Sequence, residues 1–116
     1  MIRSVGKWVQ GVALVAAAGL LSGCGEQGAV SQPGEDTYNR FCFSCHQGGI
    51  AGAPRFGDAE AWAPRIAQGM DVMLANTKKG INPGMPAMGL CNSCTEQDLI
   101  DVINYMVDAT KEAPAP

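Results

Sequence analysis

Histidine is almost missing from this sequence: His46 is the one imidazole in 116 residues. Chemistry that needs a second histidine for acid–base work is therefore excluded from the start. Charged side chains make up only 16%, beside 15 glycines and 7 prolines, which excludes a coiled coil. The main apolar run, residues 12–21, falls well short of the roughly 20 residues a membrane-spanning helix needs. No β-rich run appears, so a βαβ framework has nothing to be built from. What is present is a hydrophobic fraction of 47%, too high for wholesale disorder, in a length that allows one small domain.

The N-terminus reads as an export signal. Arg3 and Lys7 make a basic lead-in to the apolar run, the layout of a secretory peptide. The run ends in Leu21-Ser22-Gly23-Cys24, which resembles the lipobox of bacterial lipoproteins. That resemblance implies removal of residues 1–23 and acylation of Cys24, so that a lipid anchor holds the chain to a membrane. Gly25, in place of Asp, implies sorting to the outer membrane, giving a periplasm-facing lipoprotein. Within the lipidated N-terminal stretch 24–34, residues 25–34 have no apolar period and read as a tether reaching about 36 Å at most. The mature chain keeps 6 basic against 11 acidic side chains, a net charge of −5. That balance argues against nucleic acid and favours protein partners with basic docking patches.

The cysteines are Cys24, Cys42, Cys45, Cys91 and Cys94, an odd number for an oxidising compartment. Acylation of Cys24 would leave two C-x-x-C pairs. The first, Cys42-Phe43-Ser44-Cys45-His46, is the attachment motif of c-type haem. On a helix, positions i, i+3 and i+4 share a face. Two thiols three apart can then bond the two vinyl groups of one porphyrin, with the next side chain under the iron. A zinc site from all four cysteines would leave His46 unexplained, and a thioredoxin-like pair lacks its framework. Cys91-Asn92-Ser93-Cys94 has no following histidine and reads as a local structural disulfide.

Around these motifs the chain reads as helices. Residues 35–43 form the first, with Tyr38 and Phe41 on one apolar face, and residues 47–57 are loop. Asp58 caps a short helix that contains Trp62 and is deformed by Pro64. Residues 70–78 make a helix stopped by Gly80, and residues 81–90, rich in Gly and Pro, are neither helix nor strand. Thr95 to Asp98 resembles a capping box with Asp in place of Glu. Leu99, Val102, Ile103 and Met106 follow at helical spacing, and residues 111–116 are a frayed tail. With one histidine spent, the second axial ligand falls to Met85 or Met88 in the Gly/Pro loop, and composition does not choose between them.

Taken together the chain resembles a class I c-type cytochrome of the cytochrome c-five subgroup over residues 36–107. The resemblance rests on Cys42-Phe43-Ser44-Cys45-His46, Gly52-Ala53-Pro54-Arg55-Phe56-Gly57-Asp58, Trp62-Ala63-Pro64-Arg65, Gly84-Met85-Pro86 and Cys91-Asn92-Ser93-Cys94-Thr95. It implies an all-α fold of about four short helices wrapped around one covalent haem, over residues 35–110. It selects Met85, directly before a proline, as the axial ligand opposite His46. It places on Pro54 the carbonyl that orients the histidine, and it supports the Cys91–Cys94 bond. Ala87 stands where the family commonly has a second proline. Candidate pocket residues are Phe41, Phe43, Ile50, Phe56, Trp62, Ile66, Leu74, Leu99, Ile103 and Met106, with Trp62 and Arg65 as possible propionate contacts.

The function these expectations add up to is one-electron transport by a membrane-tethered mono-haem cytochrome, without enzyme activity, passing electrons between donor and acceptor proteins. The alternatives are a small haem peroxidase and a fixed electron-transfer subunit of a larger oxidoreductase complex.

Overall fold

The computed structural model describes residues 30–112. The expected leader 1–23, the expected acylation at Cys24, the expected tether up to residue 29 and the tail from residue 113 lie outside the described residues. Among the described residues the chain is helical and contains no strand. The first rod is a continuous helical run of three parts: α1 (Glu35–Thr37), a π-helical turn (Tyr38–Cys42) and α2 (Phe43–His46). It is followed by α3 (Ala59–Ile66), α4 (Met70–Lys79) and α5 (Glu96–Glu112). None of these helices is long and apolar enough to cross a membrane.

The core lies where the first rod crosses α5. Leu99, Val102, Ile103 and Met106, the stripe read from the sequence, are all buried. Each such side chain contributes about 1.5–3 kcal/mol by leaving water. Tyr38 and Trp62 close the cluster from the other side. The crossing is tight because Gly34, at φ 84, sits directly on α5: a Cβ there would lie 2.6 Å from Val102 Cα. Helix α5 starts on the expected capping box. The Asp98 carboxylate accepts from Thr95 N at 2.8 Å, and Thr95 Oγ1 accepts from Asp98 N at 3.2 Å.

The structure corrects several local expectations. The first rod is not a plain α-helix: the π turn runs into the cysteine motif and ends on Cys42, and such insertions are frequent at functional sites. Its wider turn separates Tyr38, which enters the core, from Phe41, which stays about one-third exposed. Helix α3 continues through Pro64 to Ile66, losing only the one bond that a Pro64 N–H would have made. Residues 81–90 are more ordered than expected. Ile81 and Met85 exchange both backbone bonds at 2.8 Å, and Ala87–Leu90 forms a 3₁₀ turn. A second 3₁₀ turn, Ile50–Gly52, interrupts the expected loop. Helix α5 runs to Glu112, where Lys111 pairs with Asp108 at 2.6 Å.

Candidate functional site

The end of the first rod, the 50–54 segment and the 81–90 loop enclose a cleft of about 180 Å³. Cys42, Cys45, His46, Pro54 and Met85 all line it. An inner recess continues from His46 and Met85 toward Trp62, Met73, Ile103 and Met106. Met88 lines neither space, so of the two methionines in the loop only Met85 faces His46 across a shared cavity.

His46 is held from two sides. Its Nδ1 donates to the Pro54 carbonyl at 2.9 Å, which fixes the tautomer and leaves Nε2 as the free nitrogen. Its own carbonyl accepts from Phe56 N at 2.7 Å, so the Pro54–Phe56 segment is laced to α2. Trp62 stacks beside the ring at 5.9 Å and 28°. The Trp62 indole N–H donates to the Arg55 carbonyl at 2.8 Å, so Trp62 holds the lacing segment. Burial lowers the His46 imidazole below its ordinary pKa, and Arg65 adds to this against the pull of the Pro54 carbonyl. Burial, reinforced by Cys45, pushes the Cys42 thiol up to about 11.

Cys42 and Cys45 are free thiols, whereas Cys91 and Cys94 are joined, with Cα atoms 5.4 Å apart. Among the described residues no cluster of three or more His, Cys, Asp or Glu is placed to hold a bare metal ion. A zinc site made from both cysteine pairs has no counterpart in this arrangement.

The pocket expectations hold in part. Phe41, Ile50, Trp62, Ile103 and Met106 line the cleft or its recess. Phe56 packs instead on Tyr38, with ring centroids 4.6 Å apart, and Phe43 stands half-exposed at the edge of the same ring. Leu99 is buried on the inner face of α5, while Ile66 stays 37% exposed. Neither of these two nor Leu74 reaches the cleft or its recess. Sequence reading missed a second, wider cleft of about 710 Å³ behind Met85, lined by Arg65, Gln68, Asn76, Lys79 and Asn82. It contains neither thiol nor imidazole, so the chemistry belongs to the smaller cleft.

Residues 29–106 match the family described as "Cytochrome C oxidase, cbb3-type, subunit III". The chain belongs to the class I c-type cytochromes. The cytochrome is 43% identical over 81 residues to cytochrome c-555 of Chlorobaculum thiosulfatiphilum, covering 67% of this chain and 94% of that one. It is 40% identical over 102 residues to cytochrome c-555 of Chlorobaculum tepidum, covering 85% and 94%. With cytochrome c5 of Ectopseudomonas mendocina the identity is 36% over 81 residues, covering 68% and 92%. A chain in the crystal structure of an electron transfer complex of nitrite reductase with cytochrome c superposes with a TM-score of 0.64 at 41% identity. That alignment covers 69% of this chain and 96% of the other.

The cytochrome is thus a mono-haem c-type electron carrier of mostly helical fold, with one covalent haem c and its iron. Its cleft fits that group: two free thiols, an oriented imidazole and a thioether converge on one space, and no side-chain polar atom buried there lacks a partner.

Proposed function

We propose that this cytochrome is a membrane-tethered, periplasm-facing carrier that passes single electrons in an exported electron-transfer chain, respiratory or related. Cys42 and Cys45 would hold the haem covalently, and His46 Nε2 and the Met85 sulfur would bind its iron. The bound iron supplies the one-electron exchange between ferrous and ferric states. The chain's residues do the rest. Pro54 fixes the imidazole through its carbonyl, Trp62 braces the Pro54 segment, and Met85 shields the far side of the cleft from exogenous ligands. A thioether ligand favours the ferrous state and closes the iron, which suits electron transfer. The Cys91–Cys94 disulfide staples the loop that follows Met85 to the start of α5. Cys24, acylated after removal of residues 1–23, provides the anchor, and the acidic surface favours donor and acceptor proteins with basic docking patches.

The observation that carries this reading is the 2.9 Å bond from His46 Nδ1 to the Pro54 carbonyl, in a cleft shared with Cys42, Cys45 and Met85. A peroxidase reading lacks a distal base, because His46 is the only histidine. The test is ligand replacement. Met85→Ala should abolish the thioether–iron charge-transfer band at the red edge of the spectrum, lower the reduction potential and admit carbon monoxide to the iron. Met88→Ala should leave all three unchanged. The reverse pattern would move the ligand to Met88. Radiolabelled palmitate incorporated in the wild type and lost in Cys24→Ala tests the anchor, and absence of label in both would remove it.

A further inference from the structure

A third groove, of about 310 Å³, is lined by Phe56, Tyr105, Asp108 and Glu112. It shares no residue with the haem cleft or its recess, so its form does not depend on the group that fills them. Tyr105 is half-buried on α5 and touches two further rings. Its centroid lies 5.3 Å from that of Phe56 and 5.5 Å from that of Tyr38. Phe56 and Tyr38 are 4.6 Å apart, so three rings close a triangle within the contact range of aromatic pairs. Tyr38 is 3% exposed, and Cys42 packs against the cluster that contains it. Burial, then Tyr105 and Cys42, push the Tyr38 phenol up to about 12, which places both side chains close to it. A line of contacts therefore runs from the groove through Tyr105 and Tyr38 to Cys42, whose other side lines the cleft.

Electron coupling falls steeply across every empty gap, and a file of rings in contact leaves none between the surface and the first thiol. The charge around Tyr105 says what kind of partner can approach. Lys111 bonds Asp108 at 2.6 Å, which leaves Glu35 and Glu112 to set the sign. Both carboxylates act on Tyr105, adding to the effect of burial in raising its phenol. Glu35 is held only by the Ser31 hydroxyl and the Gln32 N–H, neutral donors that keep its charge in place. A basic side chain in this groove meets two carboxylates and the face of a tyrosine ring, the setting of a cation–π contact.

We propose that Tyr105 and Tyr38 form a second electron route, by which a donor protein that seats a basic side chain in the Tyr105 groove passes its electron to the haem at Cys42. The inference rests on the electron-carrier reading and adds to it an entrance separate from the mouth of the cleft. The donor is oxidised by one electron and ferric iron is reduced to ferrous. Both phenols keep their protons throughout, and neither ring is chemically changed.

The test uses the ferric holoprotein with the aqua ion of chromium(II) as the first probe. Each ion gives up one electron and becomes chromium(III), which exchanges ligands so slowly that it stays on the carboxylates where the electron entered. Peptide mass analysis should find it on Glu35 or on the α5 peptide with Asp108 and Glu112, and chromium confined to other carboxylates would overturn the proposal. The second probe is reduction by hexaammineruthenium(II), a cation, followed by stopped flow beside reduction by the ascorbate anion. Tyr105→Leu should slow the cation about tenfold and leave ascorbate unchanged, while Tyr105→Phe, which keeps the ring, holds both wild-type rates. A cation rate within twofold of wild type in Tyr105→Leu, or equal slowing of both reagents, would also overturn it. The chromium map needs no variant, so it decides even where Tyr105→Leu does not fold. A wild-type protein without a c-type haem spectrum would defeat the carrier reading itself, and that failure is seen before either probe is added.

Discussion

Helix α4 is bounded by two glycines in nearly the same backbone state, which allows packing to be separated from conformation. Gly69 has φ 87 and ψ 164, and Gly80 has φ 81 and ψ 166. This region is essentially restricted to glycine, so alanine at either position costs about 1–3 kcal/mol in conformation alone. The surroundings differ. A Cβ on Gly69 meets nothing within 4 Å, whereas one on Gly80 lies 2.7 Å from both the Met85 carbonyl oxygen and Ala87 N. Both of those atoms are backbone, so the loop that presents Met85 must move. Overpacking of this kind adds about 1–3 kcal/mol. Gly69→Ala should therefore lose about 1–3 kcal/mol and keep the thioether–iron band, whereas Gly80→Ala should lose about 2–6 kcal/mol and weaken the band. Guanidinium unfolding followed at the haem absorbance gives the first quantity, and the oxidised spectrum gives the second. Equal destabilisation with an intact band in both variants would refute the claim that α4 positions the Met85 loop by direct backbone contact.

Other expectations follow from the same structure. Leu99 is 2% exposed, so Leu99→Ala should cost about 2–5 kcal/mol in denaturant unfolding, and a loss under 1 kcal/mol would contradict its place in the core. Hydrogen bonds from Thr95 depress the Asp98 carboxyl below its ordinary value, so its stabilising effect is present above the unfolded pKa and lost as pH falls through the folded one. The difference in unfolding midpoint between wild type and Asp98→Asn should thus be clear at pH 7 and close below about pH 4, and a gap independent of pH would count against the capping box. Replacing Cys91 and Cys94 together by alanine reopens a four-residue loop and should cost about 2 kcal/mol while leaving the haem attached.

What the sequence made legible was chemistry carried by local spacing. The cysteine motif located Cys42, Cys45 and His46 because all three groups lie within one helical turn. Helix α5 was readable because Thr95, Asp98 and the stripe from Leu99 to Met106 all specify the same helix. Asp58 likewise capped α3 where expected, accepting from Ala61 N at 3.0 Å. The missing features depend on partners distant in sequence. The π turn reflects the demand that Tyr38 enter the core while Cys42 faces the cleft, and Tyr38 packs on residues of α5 far along the chain. The left-handed turns at 50–52 and 87–90 carry alanine, methionine and leucine at positive φ, residue types that give no local signal for it. The partner of the Trp62 indole was hidden because a backbone carbonyl, that of Arg55, leaves no trace in residue identity. Aromatic character alone could not divide Phe41, which lines the cleft, from Phe56, which packs on Tyr38 and Tyr105.

The covalent bond between two sulfurs and one porphyrin is tested most directly by the mass of the purified protein and of the peptide that carries Phe41 to His46. The account predicts one haem per chain, retained through acid and organic solvent, with Cys42 and Cys45 both closed to alkylating reagents. A colourless protein whose two thiols alkylate freely, or one with stoichiometric zinc in place of haem, would contradict it.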